Sequence, residues 1–471
     1  MSGLPDVLNV KPMASIDTMN VDTNILDPIV INSGFARFVL ERKGILDAGS
    51  TFSISAHPVV AGDDQCWLPV KTGAHALIKR AVLKVGTKVI SSSDDYGYYQ
   101  TMRRAFKTCE EKGQKDSVKV GSLDNMCPDE QGTGLYQLKD VRYPTVAAGA
   151  VPAFLRLRND PALGPVFQIK LSDLFPMMRN MMLPLYLIDT QVSIELTFNT
   201  QTANQTGRMA VFSSAYAGDT SMSIGLNNVQ FLADYLTYQD ERMDATAKLV
   251  MSDRGLSIPY EDTVLTSSNI PAATGGNIPA GATVRRVQVT RDLGLSGRNV
   301  RAVVLHDSSD VVNPLVGVYG AQAYDVPDEY NYRINDQLVY SRDVVNEQRK
   351  QNQLSDVFGT NINCLNAEYS KNGQTDRQTP PHAVNNHMIS TNTLNGVNQQ
   401  VLEAQCHFEG VDLTTDPLVQ VGSGTLVGQK PIESLRTIYQ TANDNHNREL
   451  RYFALVERAM VLKGGQVMVS A

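Results

Sequence analysis

The feature that most constrains the fold of this chain is a recurring period of two in its hydrophobicity. The clearest example is Val192–Phe198, in which every second residue is apolar and the residues between them are polar. Successive side chains of a strand point to opposite faces, so this pattern predicts a strand with one buried face. Similar segments, some less regular, are Phe167–Leu171, Phe35–Leu40, Thr51–Ala56, Leu77–Val85, Val284–Thr290 and Arg301–Leu305. Many short strands separated by Gly, Pro, Asn and Asp predict antiparallel sandwiches.

Helical patterns are few and short by comparison. They cover Asp94–Glu111, Gln239–Met251 and Arg342–Leu354. A parallel sheet needs helices on both of its faces, and three short helices are too few to supply them. The doubly wound folds of many enzymes are therefore disfavoured.

The length of 471 residues predicts two domains, because a single hydrophobic core stops growing well below that size. The segment between Asn199 and Asn228 is rich in Thr, Ser, Gln, Ala and Gly, which is typical of a linker. We therefore expect an N-terminal arm at 1–25, a first domain at 26–200, a linker at 201–228 and a second domain at 229–471. Two long polar segments, Lys112–Val151 and Asn366–Asn398, are expected to be surface loops.

Charge and composition exclude several classes of function. The net charge is −7, so the chain as a whole has no cationic field for nucleic-acid phosphates. No apolar run approaches the length of a membrane span, and the first residues do not form a signal peptide, so we expect neither a transmembrane segment nor export. The five cysteines form no CxxC pair and are expected to be reduced.

A search for catalytic patterns finds none that is specific. The histidines are scattered, and the closest pair, His382 and His387, misses the spacing that places two ligands on one helix face. The Gly422–Gly428 segment lacks the Lys-Ser/Thr of a phosphate-binding loop, and no GxSxG motif is present. We therefore expect no enzymatic activity, no cofactor and no metal site.

Three segments resemble a known family, in the order in which that family has them. The first, Phe167–Phe198, contains the step Leu183-Pro184-Leu185 before the alternating strand. The second, Phe231–Met243, has Asp234, Tyr235, Asp240, Glu241 and Arg242 where a strand leads into a helix. The third, Leu450–Val469, has the turn Gly464-Gly465 between two strands. These segments resemble the double jelly-roll major capsid proteins of nucleocytoplasmic large DNA viruses, virophages and Polinton-like viruses, in which the first would close the first jelly roll and the second would open the second.

The chain departs from the family pattern at two points. Leu174-Phe175-Pro176 replaces an aromatic run, and the glycine-rich turn near the C-terminus is reduced to two residues. These departures indicate a distant branch.

The resemblance implies an all-β fold with two antiparallel eight-stranded jelly-roll barrels side by side and a few short helices in loops. It implies a homotrimeric, pseudo-hexameric capsomer that tiles an icosahedral shell in the virion. The partners would be neighbouring capsomers, together with penton and minor capsid or cement proteins. Two alternatives stay open: a minor capsid or spike protein, and a carbohydrate-binding or carbohydrate-active β-sandwich. The last would need an aromatic groove, whereas the chain has a single tryptophan, Trp67.

Overall fold

The structure is a computed structural model of the chain. It describes residues 19–58, 66–69, 72–105, 107, 116, 119–120, 127–128, 136–137, 154–157, 166–179, 181–199, 212–213, 224–238, 240–252, 255–271, 284–309, 329–344, 353, 356–358, 390–394, 397–401, 408–415, 423–428, 431–441 and 447–470.

The first half of the chain forms fifteen strands among these residues. They are β1 (Asn20–Leu26), β2 (Val30–Asn32), β3 (Phe35–Val39), β4 (Ile45–Leu46), β5 (Thr51–Pro58), β6 (Cys66–Pro69), β7 (Ile78–Val85), β8 (Lys88–Asp94), β9 (Cys127–Pro128), β10 (Tyr136–Gln137), β11 (Phe154–Leu157), β12 (Val166–Lys170), β13 (Val192–Phe198), β14 (Phe212–Ser213) and β15 (Ile224–Thr237). The helices that the structure describes as whole elements in this half are α1 (Tyr96–Ala105) and α2 (Leu171–Leu174), with 3-10 turns at Gly73–Leu77, Pro176–Arg179 and Leu185–Leu187.

The second half begins with helix α3 (Asp240–Met251) and continues with twelve strands in its described residues. They are β16 (Leu256–Ile270), β17 (Val284–Asp292), β18 (Asn299–Ser309), β19 (Glu329–Ile334), β20 (Gln337–Leu338), β21 (Ser390–Leu394), β22 (Val397–Val401), β23 (Phe408–Asp412), β24 (Thr425–Leu426), β25 (Glu433–Thr441), β26 (Arg448–Lys463) and β27 (Gln466–Ser470).

Two lobes with the same strand order emerge from the pairing. In the first lobe one sheet runs β1-β15-β5-β12 and the other contains β3-β13-β7-β8, extended by β2. In the second lobe the corresponding sheets run β16-β26-β18-β23 and β17-β25-β19-β20. If the eight principal strands of each lobe are numbered in chain order, both lobes have sheets of order 1-8-3-6 and 2-7-4-5. This is the Greek-key arrangement of a jelly roll, so the predicted fold class is confirmed.

Each lobe is a sandwich of two open sheets and not a closed barrel. Short strands extend the sheets beyond the eight principal ones: β2 and β4 in the first lobe, and β24 and β27 in the second. Every pairing between described strands is antiparallel, as the alternating patterns predict.

The predicted domain boundaries are wrong at two points. Strand β15 is the eighth strand of the first lobe, so that lobe extends to Thr237 and the predicted boundary between 228 and 229 falls inside a strand. The last residues of the predicted arm are also part of the first lobe, because Asn20–Leu26 pairs along its whole length with β15. The Phe231–Met243 segment therefore closes the first jelly roll before it leads into α3, and Val192–Phe198 is the seventh strand of that lobe and not its last.

Of the three predicted helices, one is confirmed and two differ from the structure at their first residues. The helix predicted at Asp94–Glu111 begins later, at Tyr96 of α1, because Asp94 ends strand β8; beyond Ala105, only Lys107 of the predicted range lies in the described residues. The helix predicted at Gln239–Met251 is confirmed as α3. The third prediction, Arg342–Leu354, is wrong at its start, because Val344 forms a β-bridge with Tyr330, and most of its other residues lie outside the described ones. Within the described residues no helix is long and apolar enough to cross a membrane.

The interior of the first lobe is built from the alternating residues of both sheets. Phe52 stacks on Phe231 with ring centroids 4.3 Å apart, and Phe38 meets Phe52 edge to face at 5.3 Å. Ile194 and Leu196 of the central strand β13 are fully buried in the same cluster. The sequence pattern at Val192–Phe198 thus reports directly on the core.

Candidate functional site at the junction of the two lobes

One sheet of the second lobe, β16-β26-β18-β23, is buried on both faces. Val303 and Leu305 of β18 belong to the core cluster of the second lobe, together with Tyr452 of β26. The intervening Val304 belongs to the cluster of the first lobe, together with Phe453. Since neighbouring residues of a strand point to opposite faces, one face of this sheet packs inside its own lobe and the other packs on the first lobe. The two lobes therefore share an apolar core.

Edge strands β8 and β16 meet at this junction through hydrogen bonds. Ser91 Oγ donates to Asp262 Oδ1 at 2.8 Å, and Tyr260 Oη donates to the carbonyl oxygen of Ile90 at 2.7 Å. Asp262 also forms an ion pair with Arg458 at 2.9 Å. These groups are buried or nearly so, which makes the bonds sensitive to any relative movement of the lobes.

Helix α1 lies against the outer face of the shared sheet with aromatic and cationic side chains. The guanidinium of Arg451 lies 3.7 Å from the ring centroid of Tyr98, and its Nε is 3.0 Å from Asp95 Oδ2. Tyr98 also meets His306 edge to face, with centroids 5.0 Å apart. Stacking on an aromatic face and pairing with a carboxylate are the contacts that a buried guanidinium needs.

A second charged contact crosses the junction at Glu261. This carboxylate is 2.6 Å from Arg301 Nε within the second lobe and 3.9 Å from Arg179 Nη1 of the first lobe. Its side chain is almost fully buried, so it is compensated by cations from both lobes.

The residues of the first family segment lie beside this junction. Leu183 forms a β-bridge with Leu46, in which each backbone nitrogen donates to the other residue's carbonyl oxygen, at 2.8 and 3.2 Å. Pro184 and Leu185 are buried, and Leu185 begins a 3-10 turn. The step therefore closes the chain onto strand β4.

The residues of the second segment meet the same short strand. Leu46 pairs with Tyr235, and the backbone nitrogen of Asp47 donates to the carbonyl oxygen of Asp234 at 2.9 Å. Tyr235 is fully buried and its Oη accepts from the backbone nitrogen of Glu41 at 3.2 Å. Burial raises the pKa of this phenol. Strand β4 thus brings the first two family segments together, although Leu183 and Tyr235 are 52 positions apart in the sequence (235 − 183).

Glu241 and Arg242 lie in the first turns of α3, and their side chains are outside the described ones. The end of that helix is tied to the third family segment, because the backbone nitrogen of Gly464 donates to the carbonyl oxygen of Val250 at 3.1 Å. No structural role is assigned to the two charged side chains, so their part in the site stays a prediction.

The third segment contacts the first lobe through its glycine turn. The backbone nitrogen of Asp189 donates to the carbonyl oxygen of Gly465 at 2.9 Å. Both glycines have positive φ, 57° at Gly464 and 73° at Gly465. A Cβ on Gly465 would lie 1.8 Å from Asp189 Oδ2, whereas a Cβ on Gly464 meets nothing within 4 Å. Both positions favour glycine because of their positive φ, and Gly465 is in addition constrained by Asp189 of the first lobe.

These two glycines give a matched test of the junction. We expect Gly464→Ala to cost about 1 kcal/mol, the strain of a left-handed alanine, and Gly465→Ala to cost clearly more, because its methyl group displaces Asp189. Urea unfolding of the two variants measures the difference. In an Asp189→Gly background the extra cost of Gly465→Ala should disappear. Equal losses in the two single variants would contradict the contact.

The buried carboxyl of Asp262 makes the junction sensitive to pH. Burial raises the pKa of Asp262 from 3.8 to about 6, in spite of Arg458 and the hydrogen bond from Ser91. The folded chain then keeps a proton between about pH 4 and pH 6 that the unfolded chain has lost. Stability contributed by this group is therefore fully present below pH 4 and is lost as the pH rises through 6.

His75 has the opposite dependence in the same range. It is buried, its Nδ1 lies 2.7 Å from Tyr96 Oη, and burial lowers its pKa to about 4. Stability from this group is present above pH 6.5 and is lost as the pH falls towards 4. The pH profile of the unmodified chain is thus a sum of opposed slopes.

We expect Asp262→Asn to isolate the contribution of Asp262 to the pH dependence of the free energy of unfolding. The free energy of unfolding of the variant minus that of the unmodified chain should rise by roughly 3 kcal/mol between pH 4 and pH 7, because a shift of one pKa unit corresponds to about 1.4 kcal/mol. Urea titrations at unit steps of pH measure it. Parallel profiles would show that Asp262 ionises as freely when folded as when unfolded.

A separate group of buried charges lies between the sheets of the second lobe. Arg436 donates to both oxygens of Glu409, at 2.5 and 3.1 Å, and Arg448 donates to Asp307. Each of these four side chains is at most 1% exposed. Two cations and two anions balance each other there, as buried charges require.

The sequence marks the strands of the junction by near-continuous apolar runs and not by alternation. Leu450–Val456 and Ala302–Asp307 are buried without a break, and strands buried on both faces have near-continuous runs of this kind. The charged residues inside these runs, Arg451 and Asp307, obscure the signal.

In the described part of the chain there is no group of three or more His, Cys, Asp or Glu side chains placed to hold a metal.

The comparisons with known proteins are structural. No family model matches the sequence, and no curated protein matches it. Among solved structures, the chain is similar to VP54 of PBCV-1, fitted into a reconstruction of the virophage Sputnik, with a TM-score of 0.60, 11% identity and 98% of each chain covered. It is similar to a chain of the Sputnik virophage itself with a TM-score of 0.55, 11% identity and coverage of 96% of this chain and 88% of that one. For the Faustovirus major capsid protein the values are 0.52, 9%, 96% and 92%.

These similarities extend over almost the whole chain, and over both lobes with their shared strand order. At such low identity they establish the architecture. The chain has the double jelly-roll fold found in viral major capsid proteins.

Proposed function

We propose that this chain is a major capsid protein that forms homotrimers, each a pseudo-hexameric capsomer in the icosahedral shell of a DNA virus. The observation that carries the proposal is the junction, in which two lobes of equal strand order share one buried sheet. Two fused jelly rolls present two similar lobes, so three subunits present six around one axis. The role is structural and needs no catalytic group.

The junction supports this role because it makes the subunit one body. Domains that move relative to each other usually meet at small polar interfaces, whereas here apolar residues of both lobes form one cluster. A shell subunit has to keep its outline under load, and a shared core provides that rigidity.

The proposed location is the virion shell, with assembly inside the host cell. The proposed partners are other copies of the chain, neighbouring capsomers, and penton and minor capsid or cement proteins. The long loops predicted at Lys112–Val151 and Asn366–Asn398 would contribute to these contacts, but apart from short strands and residues 116 and 119–120 they lie outside the described residues.

Light scattering with size-exclusion chromatography tests the trimer. We expect a mass of three times 51.6 kDa. Obligate interfaces commonly bury more than about 2,000 Å² and expose large apolar surfaces when they separate, so dissociation should coincide with unfolding. Native mass spectrometry along a denaturant titration follows both events. An abundant folded monomer before any loss of β-structure would show that the trimer is not obligate.

A further inference from the structure

Strand β2 is an apolar edge of the first lobe. It ends the sheet β2-β3-β13-β7-β8 and pairs with β3 on one side, whereas no described strand pairs with its other side. Ile29, Val30 and Ile31 at this edge are 67%, 45% and 50% exposed. An exposed edge with apolar side chains is a template for pairing with another strand, so proteins usually cover it or place charges on it.

The second lobe protects the corresponding edge with charge. Its sheet β17-β25-β19-β20 ends at β17, which contains Arg285, Arg286, Arg291 and Asp292. Strand β2 has the sequence Val-Ile-Asn and contains no charged residue. The edge of the first lobe therefore lacks the protection that the second lobe has, and a covering strand would replace it.

The N-terminal segment Asp6–Lys11 has the composition of such a strand. Three of its six residues are apolar, and two of these three are valines, which favour extended backbone. Pro5 and Pro12 flank the segment. Proline has no N–H to donate to a neighbouring strand, so the two prolines would limit the pairing to the residues between them.

The length of chain before β1 is sufficient for this segment to reach β2. Asn20, the first residue of β1, and Val30 are ten positions apart (30 − 20), which corresponds to at most about 36 Å. Leu8 is twelve positions from Asn20 (20 − 8), which allows up to about 43 Å. The chain can therefore turn before Asn20 and return to the level of β2. A segment tethered this closely has a high effective concentration at its own β2, which favours pairing within one chain over pairing with a second copy.

We propose that Asp6–Lys11 adds as a strand to the free edge of β2 in the same chain. Strand addition supplies hydrogen bonds between the two backbones, and its apolar side chains cover those at the edge. The segment would then protect the first lobe against edge-to-edge aggregation, as the charges of β17 protect the second. The proposal concerns a contact within one chain and does not depend on the proposed trimer.

Amide hydrogen exchange of the full chain, followed by mass spectrometry of its peptides, tests the pairing. Neighbouring residues of a strand direct their N–H groups to opposite sides, so one of the variants Leu8→Pro and Asn9→Pro removes a hydrogen bond to β2. In that variant we expect the peptide that contains β2 to exchange about tenfold faster, because its amides lose their protection. A chain without residues 2–11 should show the same increase. Ser2→Pro lies outside the segment and is the control, with unchanged exchange at β2.

Photocrosslinking identifies which copy supplies the segment. Leu8 is replaced by p-benzoylphenylalanine, and after irradiation the adduct is located by peptide mass spectrometry. We expect the adduct on residues 29–32, in a band with the mass of one chain, 51.6 kDa, on a denaturing gel.

Three results would overturn the proposal. The first is unchanged exchange at β2 when residues 2–11 are removed. The second is an adduct in a band with the mass of two chains, which would show that a second copy supplies the segment. The third is an adduct on another element, such as α3. Neither readout depends on the number of subunits, so failure of the proposed trimer would be recognised separately by light scattering.

Discussion

Ile194→Asp is expected to unfold the first lobe. Ile194 is fully buried on β13, which pairs with β3 on one side and β7 on the other. An ionised carboxylate there has no partner, and even a protonated one loses its hydrogen bonds to water, so the cost is several kcal/mol. A typical domain has only about 5–15 kcal/mol in total. We therefore expect insoluble protein, or loss of the cooperative transition in thermal unfolding.

The matched variant for this test is Val89→Asp. Val89 lies on β8 in the same sheet and is 42% exposed, so its carboxylate stays in water. It should cost no more than about 1 kcal/mol, the range of surface substitutions. A soluble Ile194→Asp protein with a melting temperature near that of Val89→Asp would show that β13 is not a core strand.

Glu409→Leu is expected to cost about 3–5 kcal/mol, because it leaves Arg436 buried without the carboxylate that accepts from two of its nitrogens. The double variant Glu409→Leu, Arg436→Met removes both charges and should recover most of the loss, since a buried ion pair and an apolar pair of similar volume are often close in free energy. Urea unfolding of the single and double variants measures the coupling.

An exposed ion pair of the same lobe gives the reference. Glu433 accepts from Arg333 at 3.0 Å, and both side chains are well exposed, so Glu433→Gln should change stability by less than about 1 kcal/mol. If the double variant is as unstable as Glu409→Leu alone, the cost arises from the packing of Leu at position 409 and not from the unpaired arginine.

The sequence predicted those parts of the fold in which one face is buried and the other is wet. Strand β13 alternates because its sheet has a core on one side only, and α3 shows its helical spacing for the same reason. The family segments were assigned to the wrong ends of the lobes, because Val192–Phe198 is the seventh strand of the first lobe and Phe231–Thr237 belongs to its eighth. The structure shows that Leu183 and Tyr235 meet through β4.

The junction was not predicted because burial there breaks the period of two. Residues Leu450–Val456 are all buried, and a run of this kind fits a helix as well as a strand. Arg451 within it resembles a surface residue until Asp95 and Tyr98, more than 350 positions away, are seen to pair with it. The boundary at Thr237 was missed because β15 follows a polar segment that reads as a linker.

The shared sheet is completed late during synthesis of the chain, long after the first lobe. Its central strand, β26, ends at Lys463, whereas the first lobe is complete at Thr237. At about 5–20 residues per second, a ribosome needs on the order of 10 to 50 s to add the 226 residues between these two positions (463 − 237). During that interval Tyr98, Tyr99 and their neighbours on the first lobe have no sheet to cover them. A nascent chain that has finished its first jelly roll therefore exposes an aggregation-prone surface for tens of seconds. That surface is buried only when the last strands have left the ribosome.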